Sequence, residues 1–151
     1  MISDSFTIKT RKNELFLTTS VGISTPFDVA HIKRIPKPYW TAALWDTGAT
    51  HCSITASLAK ELDLVPATKV RVEHAKGVSY ENLYFLTLHV TKKYYIEIEL
   101  TECQSVSNNF EIIVGMNVIS HGDFALTSKN GIVTFSFRLP SSAQIDFTKG
   151  D

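Results

Sequence analysis

The sequence predicts a mostly β domain with one short helix. Three observations carry that reading. Apolar and polar residues alternate with period two through 70–73 and 94–100, and again toward the C-terminus in Val133, Phe135 and Phe137. The pair Asn130-Gly131, flanked by apolar runs, is a strong hairpin signal because both residues tolerate positive φ. Only one segment, Ile54-Leu58-Leu62-Val65, is spaced as a clear helix.

Taken in order, residues 1–13 read as a flexible, polar lead-in. Glu14 to Val21 reads as a strand ending near Gly22, with Leu15 and Leu17 toward the core. A further strand is expected over Phe27 to Ile32. Arg34-Ile35-Pro36-Lys37-Pro38-Tyr39 is a loop, since its two prolines remove donors and fix φ. Trp40 to Trp45 forms the next strand. The helix is placed at about 55–63, capped by Thr55 and stopped by Pro66.

His74 to Ser79 reads as a hairpin tip between the strand at 70–73 and a long strand from Tyr80 to Val90. Tyr94 to Leu100 is a strand with Ile96, Ile98 and Leu100 on one face. Residues 104–109 are a loop. Phe110 to Val114 is a strand ending at Gly115, followed by a single helical turn, Met116 to Ser120. Phe124–Thr127 and Ile132–Leu139 form the final hairpin, and 141–151 are a flexible tail. One domain, 14–140, results.

Composition excludes several classes. Lys plus Arg and Asp plus Glu are both 15, so nucleic acid and anionic membranes are not expected as partners. The start lacks a signal-peptide pattern and no apolar run is long enough to span a bilayer, so a cytoplasmic location is expected. Two cysteines, Cys52 and Cys103, read as free thiols of a reducing compartment.

The chemistry centres on Ala43-Leu44-Trp45-Asp46-Thr47-Gly48-Ala49-Thr50. An apolar strand delivers a carboxylate to its end, and Gly48 permits the sharp turn that follows. Burying a carboxylate is unfavourable without partners, which marks Asp46 as a catalytic candidate; the alternative is a turn acid capping nearby amides. Ile113-Val114-Gly115 follows, its glycine 67 positions after Gly48. His51 and Cys52 hint at a metal or thiol site. Adjacent strand residues point to opposite faces, however, and no second Cys/His pair has ligand spacing, so neither zinc nor a Cys–His nucleophile is supported. His31, His74, His89 and His121 read as surface or loop residues.

Asp46-Thr47-Gly48-Ala49, the hairpin tipped by Gly77, and Ile113-Val114-Gly115 together resemble the retropepsin-like aspartic proteases, bacterial members in particular. The resemblance spans roughly Glu14 to Pro140. It implies an acid-protease half-barrel with one short helix, and an aspartic endopeptidase needing neither metal nor cofactor. Asp46, Thr47 and Gly48 would be its catalytic loop, braced by Ile113, Val114 and Gly115. Ala49 and a flap at Ala75, Lys76 and Gly77 would contact an extended peptide substrate. Two close carboxylates share one proton, as is established for aspartic proteases, and so supply base and acid together. Asp123 is not followed by Thr-Gly and cannot be the second aspartate. The resemblance therefore implies a homodimer with one Asp46 from each copy. The unusual Trp45 and the flap sequence Glu73 to Val78 keep open a second reading, a catalytically silent dimeric peptide-binding module on the same fold.

Overall fold

A computed structural model describes residues 3–104 and 109–149. Its strands are β1 (Asp4–Lys9), β2 (Thr18–Ser24), β3 (Tyr39–Trp45), β4 (Cys52–Thr55), β5 (Thr68–His74), β6 (Gly77–His89), β7 (Tyr95–Cys103), β8 (Ile112–Val114), β9 (Asp123–Lys129) and β10 (Ile132–Leu139). Two short helices interrupt them, α1 (Ala56–Glu61) after β4 and α2 (Met116–Ile119) after β8. Among the described residues, ten strands and two single-turn-scale helices make the domain mostly β.

The strands form two sheets. A seven-stranded sheet runs β2-β3-β8-β4-β7-β6-β5, and an added β2–β6 pairing closes it into a ring with β5 hanging from β6. A three-stranded antiparallel sheet, β1-β10-β9, packs against it through aromatic rings and shares its core. Trp45 is 4% exposed, and its ring centroid lies 4.8 Å from Phe137, 5.1 Å from Phe135 and 5.8 Å from Phe6. The indole Nε1–H donates to Thr19 Oγ1 at 2.9 Å, so its one polar atom is satisfied inside the core. Removing such a buried ring costs about 3–5 kcal/mol.

Most elements stand where the sequence puts them. Thr55 caps α1 by accepting from Leu58 N–H, and Leu58 and Ala59 bury its inner face. Asn130 and Gly131 both take positive φ in the β9–β10 turn. Ile98, Leu100, Phe135 and Phe137 are core.

Several expectations are corrected. Residues 4–9 of the expected lead-in are a strand, paired with β10 from Asp4↔Leu139 to Lys9↔Thr134, with Phe6 packed against the core. Phe27 to Ile32 is a turn: Asp28 Oδ1 accepts from Ala30 N–H and its carbonyl from His31 and Ile32 N–H. The strand expected from Glu14 begins at Thr18, and Leu15 is 83% exposed rather than core. Val65 is likewise exposed beyond the helix end. His89 is buried, with Nε2 3.0 Å from Ser24 Oγ and Phe27, Trp40 and Tyr95 around its ring. The loop expected at 104–109 lies largely outside the described residues.

A candidate active site at the end of β3

Ala43 and Trp45 anchor β3 in the core, which fixes where the chain must leave the sheet. Beyond Trp45 the backbone is tied down on two sides. Trp45 N–H donates to Leu17 O at 2.8 Å, and Asp46 N–H donates to Val114 O at 3.0 Å. The second bond extends the parallel β3–β8 register, Leu44↔Ile113 and Trp45↔Val114, as far as the aspartate. Val114 thus contacts Asp46 directly, while Ile113 pairs with Leu44 two residues before it.

The turn itself is built around the carboxylate. Gly48 N–H donates to Asp46 Oδ1 at 2.8 Å, and Ala49 N–H donates to Asp46 O at 3.2 Å. A Cβ at Gly48 would sit 3.1 Å from that same Oδ1, tight against the group it positions. Asp46 is half-buried, whereas Thr47 and Gly48 are exposed. The carboxylate is therefore held by its own loop while it remains accessible.

Gly115 locks the loop from behind. Its Cβ would meet His51 O at 2.6 Å and Ala49 O at 2.8 Å, so only glycine lets the two backbones approach this closely. Met116 and Asn117 N–H then donate to Ala49 and Thr50 carbonyls at 2.8 and 3.1 Å. Asn117, which the sequence reading passed over, adds a side-chain bridge: Oδ1 accepts from Cys52 N–H at 2.9 Å and Nδ2 donates to Glu99 O at 3.3 Å. Its position just inside α2 was the available signal, but a lone Asn after Gly-Met is too common to single out.

His51 and Cys52 do not form a reactive pair. His51 Nδ1 shares a hydrogen bond with Thr50 Oγ1 at 3.0 Å. Cys52 is fully buried, its Sγ accepts from Gly115 N–H at 3.3 Å, and burial pushes the thiol up to about 11. At that value it stays protonated and unreactive near neutrality. Among the described residues no three His, Cys, Asp or Glu side chains gather as a metal-binding set.

Asp123 lies elsewhere, at the start of β9. It accepts from Arg138 Nε at 2.9 Å, Ser141 Oγ at 2.5 Å and Ser142 N–H at 3.0 Å. These donors hold its carboxyl well below the usual carboxylate range, with Ser141 the largest contributor. The first residues of the expected tail are thus fastened to β9 and β10. Asp123 serves as an anchor, and it is not placed beside Asp46.

The hairpin of β5 and β6 turns through Ala75 and Lys76, with His74 paired to Gly77. Gly77 has φ +127° and nothing within 4 Å of the place a Cβ would occupy. A groove of about 510 Å³ separates this hairpin from the Asp46 loop, lined on one side by Gly48 to His51 and on the other by Val70 to Glu73. Trp45 faces the aromatic core instead of lining this groove.

No protein-family description matches the sequence, and no curated protein matches it. Solved structures do. The crystal structure of a retropepsin-like aspartic protease from Rickettsia conorii aligns over 91% of this chain and 96% of that one, with 12% identity and a TM-score of 0.58. The chain has a retropepsin-like fold. The solution structure of a simian foamy virus (mac) protease also aligns, over 69% of this chain and 92% of that one, at 17% identity and a TM-score of 0.48. In this retropepsin-like domain no described helix is long and apolar enough to cross a membrane.

Proposed function

We propose that the chain is an aspartic endopeptidase, active as a homodimer in which each copy contributes Asp46. The observation that carries this reading is the Asp46 loop itself: an accessible carboxylate fixed by Gly48 N–H, joined to β8 through Val114 and closed from behind by Gly115. The bond from Gly48 N–H is one that a turn acid also makes, whereas a turn acid needs neither the join to Val114 nor the closure by Gly115. The fold is shared with a protein described as an aspartic protease, which agrees with the proposal.

In the proposed mechanism two Asp46 carboxyls meet at the two-fold axis and hold one proton between them. The ionised member takes a proton from a bound water as its oxygen attacks the peptide carbonyl. The protonated member gives its proton to the carbonyl oxygen, forming a tetrahedral diol. Collapse of that diol breaks the C–N bond while a proton passes to the leaving amine. Thr47 and Gly48 complete the loop, and Ala49, Ala75, Lys76 and Gly77 contact an extended peptide as the β5–β6 hairpin closes over it. The two free thiols suit a cytoplasmic setting for this activity.

The test is cleavage of an unbiased peptide library from mildly acidic to neutral pH, with wild type and Asp46→Asn in parallel and products read by mass spectrometry. Cuts made by wild type alone support the endopeptidase. Equal cleavage by a clean Asp46→Asn preparation, or no cleavage by a folded dimer at any pH, overturns it; the latter outcome favours a peptide-binding module.

A further inference from the structure

The groove beside Asp46 has a chemical character that the aspartate does not set. Val70 and Val72 of β5 and Leu83 of β6 give it aliphatic walls. Thr101 of β7 stands opposite Leu83, and Glu99, two residues earlier, shares Thr101's face of the strand. Ser53 of β4 lies beside Thr101, their hydroxyls 3.1 Å apart. The result is a groove of mixed character, aliphatic along Val70, Val72 and Leu83, polar along Thr50, His51, Ser53 and Thr101, with the Glu99 carboxylate at one border.

Its charged lining is unequal in partners. Arg71 donates through Nη1 to Glu73 Oε1, so this cation and this anion answer each other. Glu99 pairs with no lysine or arginine among the described residues. Its backbone is fixed nonetheless, because Glu99 O accepts from Asn117 Nδ2, the side chain that also braces the Asp46 loop through Cys52. The strand position that bears the exposed Glu99 side chain is thus tied to the same asparagine that braces the Asp46 loop.

We propose that this groove selects a lysine or arginine side chain of an extended peptide. Val70, Val72 and Leu83 pack the methylene stem, and Glu99 takes the cationic head. A purely aliphatic side chain fills the walls but leaves Glu99 without a counter-charge. An acidic one meets like charge from Glu99, Glu73 being already paired with Arg71. The consequence for cleavage rests on the endopeptidase reading of Asp46, whereas the binding preference does not.

The test uses an extended peptide scanned position by position with lysine or norleucine, which has the same stem without the amine. In wild type, kcat/KM at one fixed position favours lysine by about fivefold, the scale of an exposed ion pair, and the ratio shrinks as salt rises. Glu99→Gln brings that ratio to about one, and Glu99→Lys reverses the order in favour of glutamate at the same position. The same peptides, fluorescently labelled, are titrated against Asp46→Asn with and without Glu99→Gln. Lysine-selective binding that disappears with Glu99→Gln supports the groove even where wild type cuts nothing, an outcome that removes only the endopeptidase. Cleavage with no lysine preference, or with one untouched by both Glu99 variants, overturns the groove proposal and keeps the enzyme. Absence of both binding and cleavage overturns it as well.

Discussion

The Asp46 loop and the β5–β6 hairpin border the same groove, the hairpin through Val70 to Glu73, but the loop and the hairpin's tip are held very differently. The loop is tied by backbone bonds to Leu17, Val114, Met116 and Asn117, and backed so closely by Gly115 that no side chain fits there. Beyond the His74↔Gly77 pair, the hairpin tip has a two-residue turn, a bond from Lys76 N–H to His74 Nδ1 at 3.2 Å, and open space around Gly77. Catalytic geometry needs the first kind of construction, since small misplacements of a reacting group are costly. A segment that must admit and then cover a peptide needs the second. β6 joins the two regimes, running from the exposed Gly77 to the buried His89 where β2 closes the ring.

That contrast can be broken first at Gly115. Gly115→Ala forces a methyl into backbone oxygens of Ala49 and His51, and we expect about 3 kcal/mol of lost stability in urea unfolding, with the Asp46 loop displaced. An unchanged midpoint would mean the loop yields easily and is not the rigid partner.

The root of β6 is sharpened by acid. Burial lowers the His89 pKa from 6.5, so the folded protein keeps the ring neutral while the unfolded chain protonates first. Ser24 and the rings of Phe27, Trp40 and Tyr95 surround it, and no carboxylate is among them. This contribution is fully present above about pH 6.5 and is lost as pH falls toward the depressed folded value. Urea midpoints followed from neutral to mildly acidic pH check it: the decline in wild type is expected to flatten in His89→Gln.

At the tip, Gly77→Ala places a side chain at φ +127° and is expected to cost about 1 kcal/mol, through backbone strain alone. Amide exchange would report the loss in the hairpin and leave β3 and β8 unaffected. Arg71→Ala removes an exposed ion pair with Glu73 and is expected to change stability by less than about 0.5 kcal/mol. A larger loss would show the hairpin to be more firmly held than its contacts imply.

The sequence made the tightly held region legible and left the rest in part obscure, for physical reasons. Asp46 and Gly115 announce themselves because apolar runs end abruptly in residues with one backbone or chemical use. α1 shows through its Thr55 cap and Leu58 spacing. β1 was missed because its pairing partner, β10, lies more than a hundred residues away, and Phe6 and Ile8 alone make a weak alternation. β4 was missed because three of its four residues are buried, which erases the period of two. Phe27 to Ile32 looked extended, yet Asp28 turns the chain through its own backbone amides. His89 reads as one more histidine until β2 and the loop after it are folded over β6. Glu99 looked like the polar half of an alternating strand, and only the groove gives it a use.

The most direct test of the central claim, one Asp46 from each of two copies, is a mixing titration. Wild type and Asp46→Asn are combined at fixed total concentration, allowed to exchange, and assayed on a cleaved peptide. If both carboxyls of a pair are required, activity falls with the square of the wild-type fraction, to about one quarter at equal amounts. A linear fall to about one half would mean that each subunit acts with its own Asp46 alone, and would contradict the shared site.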